Sequence, residues 1–264
     1  MTSGWQLSLH TVSDANVSGG TLTVQGATSG PTPVPIYRLQ IPSVSLDVSG
    51  IIFGNAGGSV TQPDGSRVNA STGVLSYAVL GMWGNFPATG AGGFDGAMLT
   101  GYQTQASHVP TSGSATYIGL GRNTTAQGNP KAGGVSGQIW TPSQGGNPID
   151  GGGLGGDATL TLNFATGSVT GQLTNMVVNS SPWNTVNLSG SLSGASLSGT
   201  TSTSGPPASA PPLFPQGMSS AATGTFKGAL FGPNANELGA IWSLSEPTLE
   251  GGKSALGVIG ATRQ

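Results

Sequence analysis

Only 6% of the 264 residues are charged, and that scarcity narrows the fold more than any motif does. An exposed helix presents Glu, Lys, Arg, Gln and Ala to water, and a chain with so few ions cannot cover many helices that way. Its surface must be solvated by Ser, Thr, Asn and Gln, which together with Val and Gly suit strands and tight turns. Disorder is excluded by the same composition. Disordered chains are rich in charge and poor in apolar residues, whereas 35% of this chain is hydrophobic. The expected class is all-β.

Period-two alternation recurs along the chain and is broken by turn residues, the spacing of a barrel or sandwich. Ala158 to Phe164 alternates, passes through Ala165-Thr166-Gly167-Ser168, and resumes from Val169 to Thr174, which predicts a hairpin. A second hairpin is expected from Val186–Leu192 and Ala195–Thr200. Residues 1–72 differ, because Pro31, Pro33, Pro35 and Pro42 interrupt them and Pro cannot donate to a strand ladder. The expected architecture is therefore a smaller β-rich N-terminal region at 1–72 and an antiparallel up-and-down β-barrel of about eight strands at 73–264. Ser204 to Pro212 reads as an exposed, polyproline-like spacer.

Several function classes fall away. A net charge of −2 without a basic cluster lacks the footprint of a nucleic-acid binder. Absence of cysteine excludes disulfides, thiolate metal sites and a lipidated cysteine within this chain. No apolar run reaches the roughly 18 residues of a membrane-spanning helix. Met1 to Trp5 carries neither a basic nor an apolar leader pattern, so the residues alone leave the compartment open.

Two segments carry a family likeness. Gly224 to Trp242, which contains Phe231-Gly232-Pro233-Asn234-Ala235-Asn236-Glu237-Leu238-Gly239, resembles the closing strands of the β-barrel domain of transferrin-binding protein B and related surface lipoproteins. Val109-Pro110-Thr111-Ser112-Gly113-Ser114-Ala115-Thr116-Tyr117-Ile118-Gly119 is similar to a second segment of that family, in the expected order. Ala240 and Val109 depart from the family pattern, which has Gly and Met there. The resemblance implies that Leu75–Trp83 is the first barrel strand, Gly96–Thr104 the next and Gly257–Ala261 the last. It makes Gly232, Pro233, Asn234, Glu237, Gly239 and Tyr117 a structural motif. Read from the residues alone, Gly232 to Ala235 is a turn, and Glu237 is placed to accept backbone N–H bonds that pin a loop.

Chemistry is sparse. His10 and His108 are the two histidines, one in each expected region, and together they offer possible axial ligands for haem, a role that haem-binding relatives of this barrel family bring to mind. The residues favour ordinary exposed histidines, since neither has a second histidine nearby in sequence. Asp150-Gly-Gly-Gly-Leu-Gly-Gly-Asp157 has too few oxygens for calcium and reads as a mobile loop. No serine has the His and Asp partners or the strand-to-helix setting of a hydrolase nucleophile, so no enzyme is expected and no metal or obligatory cofactor is assigned. Trp83 and Trp242 lie in strands and are expected in the core. Trp183 and Phe214 sit in loops, where a ring either anchors a partner or folds back over the barrel mouth. The resulting expectation is a secreted or outer-surface bacterial protein that binds a host protein or an iron- or haem-bearing ligand through barrel loops. The alternative is a virion or appendage subunit that self-associates through residues 1–72, where an almost uncharged surface would suit packing against copies of itself.

Overall fold

The computed structural model describes residues 6–13, 21–31, 35–41, 46–52, 58–61, 67–86, 94–121, 134–141, 149–178, 181–205, 217–246 and 253–264. Among these there is no α-helix. The fold is all-β, as the charge scarcity predicts.

Eight strands close into an antiparallel barrel: β9 (Ser114–Leu120), β11 (Ile149–Asn163), β12 (Ser168–Val178), β14 (Val186–Ser193), β15 (Ser196–Thr203), β16 (Thr223–Phe231), β17 (Glu237–Glu246) and β18 (Lys253–Arg263). The seam is made where Thr262 and Arg263 of β18 pair with Ile118 and Tyr117 of β9. Below it, β10 (Gly134–Thr141) takes over the same place in the wall and pairs with β11 on one side and β18 on the other. One stave is thus built from two strands in tandem, β9 ending at Leu120 and β10 starting at Gly134. Glycine is required there: a Cβ on Gly134 would lie 2.2 Å from the Gly121 nitrogen.

Both predicted hairpins are present, as β11–β12 and β14–β15. Alternation in these strands sends Leu160, Leu162, Val169, Leu173, Leu188 and Leu197 inward and leaves Thr159, Thr161, Thr170, Ser189 and Thr200 in water. The core is filled in layers. Leu162, Val169, Gly190, Gly199, Phe226, Trp242 and Gly257 are successive cross-strand partners around the wall. The Phe226 ring lies over the two glycines, so that a Cβ on Gly199 would come within 2.5 Å of its Cε1. Small residues in the layer make room for the two large rings, which packing to normal interior density demands.

A second sheet flanks the barrel in the order β1 (Gln6–Ser13), β8 (Phe94–Gln103), β7 (Ala78–Phe86), β6 (Arg67–Val74), β5 (Gly58–Thr61), and joins it through Phe231 opposite Gln103. Leu80, Met82, Ala97 and Leu99 of this sheet pack on the outer face of the barrel, against Phe231, Ile241, Leu256 and Val258. The segments expected to open the barrel, Leu75–Trp83 and Gly96–Thr104, therefore lie in the flanking sheet. Alternation reports one covered face and cannot distinguish an inner barrel face from a sheet laid against its outside. The division expected at 72/73 falls inside β6. A separate sheet of β2 (Thr21–Ala27), β3 (Pro35–Ile41) and β4 (Leu46–Ile52) completes the N-terminal region, where the Arg38 guanidinium holds the Asp47 carboxyl below its ordinary range through hydrogen bonds of 2.7 and 2.6 Å.

Asp150 to Asp157 is not a loop. It is the first half of the 15-residue β11, paired with β10. Asp157 accepts the Gly121 N–H at 3.1 Å and the Asn175 amide at 2.8 Å, closing the wall where the tandem stave is interrupted.

Candidate functional site

The two family-like segments meet at one end of the barrel. Gly232 to Asn236 turns β16 into β17, with Gly232 at φ 87° and Ala235 at φ 53°. A side chain on Gly232 would meet the Tyr77 ring at 2.8 Å, so glycine serves both the turn and the close approach. Four residues hold this turn. The Thr104 hydroxyl donates to the Gly232 carbonyl at 2.7 Å, and the Gly232 N–H donates to the Tyr102 carbonyl at 3.0 Å. The Arg263 N–H donates to the Asn236 carbonyl at 2.8 Å, and its guanidinium reaches the Asn234 carbonyl at 3.2 Å. Tyr117, wholly buried, donates its hydroxyl to the Ala235 carbonyl at 2.8 Å. Burial pushes the Tyr117 phenol up to about 12, while nearby Arg263 pulls the other way.

Glu237 follows the turn and is 3% exposed. Its carboxylate accepts three consecutive backbone N–H groups: Ser76 at 2.7 Å, Tyr77 at 2.8 Å and Ala78 at 3.1 Å. Burial raises the Glu237 carboxyl, and these bonds oppose the shift by favouring the ionised form. Residues 76–78 lead into β7, so one side chain of the barrel fixes the start of the flanking sheet. Gly239, two residues on, faces that sheet, and a Cβ there would fall 2.5 Å from Leu99 Cδ1. Ala240, where the family pattern has a second Gly, points inward and is fully buried. Pro233 is half-buried and Asn234 exposed on the turn itself.

The expected binding residues fall in different places. Trp183, expected at a loop tip, is buried, with its ring centroid 6.4 Å from that of Trp242. The Trp183 backbone N–H donates to the Met176 carbonyl at 2.8 Å. Neighbouring Asn184, fully buried, exchanges bonds with both the N–H and the carbonyl of Met218, at 2.9 and 2.8 Å. The segment is thus folded back over the barrel mouth, and the ring presents no surface to a partner. His108 is exposed at the end of a 3-10 turn, Ala106–His108. His10 lies in β1 opposite Leu99. The side chains of His10 and Trp83, and all of Phe214, lie outside the described residues. Among the described residues no group of three or more His, Asp or Glu side chains is spaced to hold a metal ion, and no helix is long and apolar enough to cross a membrane.

The family model for the C-lobe and N-lobe β-barrels of transferrin-binding protein B matches residues 109–263, more than half of the chain. The chain belongs to that barrel family. The matched span opens at Val109, just ahead of β9, in agreement with the barrel observed.

Solved structures of transferrin-binding protein B share the fold. One is a vaccine antigen from Haemophilus parasuis Hp5 with a tryptophan replaced by alanine: 17% identical, TM-score 0.57, covering 98% of this chain and 45% of that one. Intact Ap-TbpB, with N and C lobes, is 18% identical at TM-score 0.58, covering 98% and 46%. The isotype 1 protein from serogroup B Neisseria meningitidis is 19% identical at TM-score 0.52, covering 86% and 39%. This chain spans less than half the length of these proteins. No curated protein matches the sequence. In this transferrin-binding-protein-like lobe the motif residues make the joint between barrel and flanking sheet. Their partners Ser76, Tyr77, Thr104 and Arg263 carried no sequence signal, since a backbone donor about 160 residues distant from Glu237 leaves no pattern.

Proposed function

We propose that this chain is a non-enzymatic binding protein, secreted or displayed on the bacterial outer surface, that recognises a host protein through its barrel loops and flanking sheet. The family match over residues 109–263 carries this reading. A second observation gives it a direction. The barrel interior is occupied by Trp242, Phe226, Tyr117, Leu160 and Leu162, each 1% exposed or less, so recognition belongs on the outside of the molecule rather than in a lipocalin-like cavity. Residues 1–72 then act as a handle or anchoring region beside the barrel. An iron-bearing protein of the transferrin class is the first partner to test, because the solved relatives are named for binding it.

The experiment is surface-immobilised binding of purified chain to apo- and iron-loaded transferrins from several mammals, with haem titration followed by absorbance on the same sample. Saturable binding to any of these transferrins supports the reading, and Phe214→Ala is then expected to weaken it by about 2 kcal/mol with unchanged melting temperature. No binding across the panel, together with a sizing profile showing concentration-dependent self-association, supports the assembly-subunit alternative instead.

A further inference from the structure

A groove of about 370 Å³ lies at the barrel rim, between the end of β8 and the tip of the β14–β15 hairpin. One wall is Gln103, Thr104, Gln105 and Ala106, and the other runs from Ser193 through Gly194 and Ala195 to Ser196. From these residues we infer a binding site for a neutral, hydroxyl-rich ligand, one or two hexose units in size.

Three features carry the inference. The walls are fixed before any ligand arrives. Leu230 of β16 donates its N–H to the Ala195 carbonyl at 2.8 Å and accepts the Thr104 N–H at 2.8 Å, so a single residue pins both sides. Gly194, at φ 56°, brings the hairpin tip so close that a Cβ there would touch the Ala106 Cβ at 3.5 Å, closing one end. A site held this way loses little entropy on binding.

The lining is uncharged, with polar and small apolar groups sharing it. It contains two carboxamides and the hydroxyls of Ser193 and Ser196, that of Thr104 being donated to the Gly232 carbonyl, and no Lys, Arg, His, Asp, Glu or aromatic residue. A charged ligand would lose hydration with no counter-charge to replace it, and a flat aromatic ligand would find no ring to stack on. Carboxamides and hydroxyls each donate and accept, which matches the alternating donor and acceptor demand of sugar hydroxyls. The Gln103 side-chain N–H donates to Ser196 Oγ at 3.4 Å, so the two walls meet through one long bond between polar side chains. The size is at the small end of ligand pockets, enough for one or two sugar rings.

The site is independent of the proposed protein partner: a free sugar and the end of a glycan present the same hydroxyls. The test follows the amide NMR spectrum of the isotope-labelled chain during titration with methyl glucoside, methyl mannoside, galactose, N-acetylglucosamine and a neutral mannose oligosaccharide, with glucuronate as the charged control. Saturable shifts confined to residues 103–106 and 193–196 are expected for at least one neutral sugar, with glucuronate at least about tenfold weaker. Ala106→Trp, at an exposed position, should fill the groove and abolish the shifts. Gln105→Ala, another exposed side chain, should weaken binding about threefold or more without altering the melting temperature, and it serves alone if the tryptophan variant does not fold. Preference for a monosaccharide or for the oligosaccharide identifies the source, and either supports the inference. It is overturned if no neutral sugar gives saturable shifts at these residues, if glucuronate binds equally, or if binding is unchanged in the folded variants.

Discussion

A buried carboxylate surrounded by three backbone donors is worth keeping only while all three bonds are made. Replacing Glu237 by Gln turns one acceptor oxygen into an NH2 group that faces an N–H, leaving one or two buried donors unpaired. Glu237→Gln is expected to lower stability by about 1–3 kcal/mol, read as a shift in urea midpoint at constant slope. Tyr117 makes a prediction in alkali. Its phenol titrates at an ordinary 10.0 when unfolded and at about 12 when folded. The folded state therefore holds the proton longer, and this contribution is complete below pH 10 and lost as pH rises towards 12, about 3 kcal/mol in all. Wild type should lose stability more steeply across that window than Tyr117→Phe, which is already weakened at neutral pH by an orphaned Ala235 carbonyl. Residue roles were legible in sequence where they were local. The Gly232 turn and the loop-pinning part of Glu237 followed from turn and carboxylate chemistry. For Trp183 the residues leave two readings open, a partner anchor or a ring folded over the barrel mouth, because Ser180-Ser181-Pro182-Trp183 marks only a turn; Trp242 and the Met218 backbone that Asn184 holds bury it in the second way.

Elements whose two faces differ were readable from alternation. β12 and β15 each bury one side and wet the other, and the amino-acid pattern alone shows both. β17 has no such signature, because its inner face fills the barrel while its outer face lies under the flanking sheet, so eight of its ten residues are buried. The first half of β11 was missed for another reason. Five of the eight residues from Asp150 to Asp157 are glycine, which supplies no side chain to alternate, and its neighbours β10 and β18 are remote in sequence. Glycine on the inner face is a packing choice that can be tested. A methyl group on Gly199 would meet the Ser189 carbonyl oxygen at 2.3 Å and the Gly190 Cα at 2.6 Å as well as the Phe226 ring, and backbone atoms cannot swing aside. Gly199→Ala is expected to cost about 1–3 kcal/mol in denaturant unfolding, although alanine ordinarily stabilises a strand relative to glycine. An unchanged midpoint would mean that Phe226 has another place to go.

At the scale of the molecule, all-β class and an eight-stranded barrel followed from the shortage of ions and the recurrence of hairpins, whereas the flanking sheet followed from nothing local. Removing β18 by ending the chain at residue 252 should leave β17 and the β9–β10 stave with open edges. The product is expected to bind a hydrophobic dye and to aggregate in proportion to its concentration, as light scattering would report. A soluble truncated monomer with native thermal stability would contradict the closed wall. The same seam governs how the protein comes into being. β9 emerges from the ribosome well over a hundred residues before the strand that completes it, so no order of local folding can shut the barrel early. Until β18 arrives, whatever grips the nascent chain handles an unsealed sheet that can still be drawn out straight. Sealing therefore waits for the synthesis of β18 itself, the strand that meets both β17 and β9.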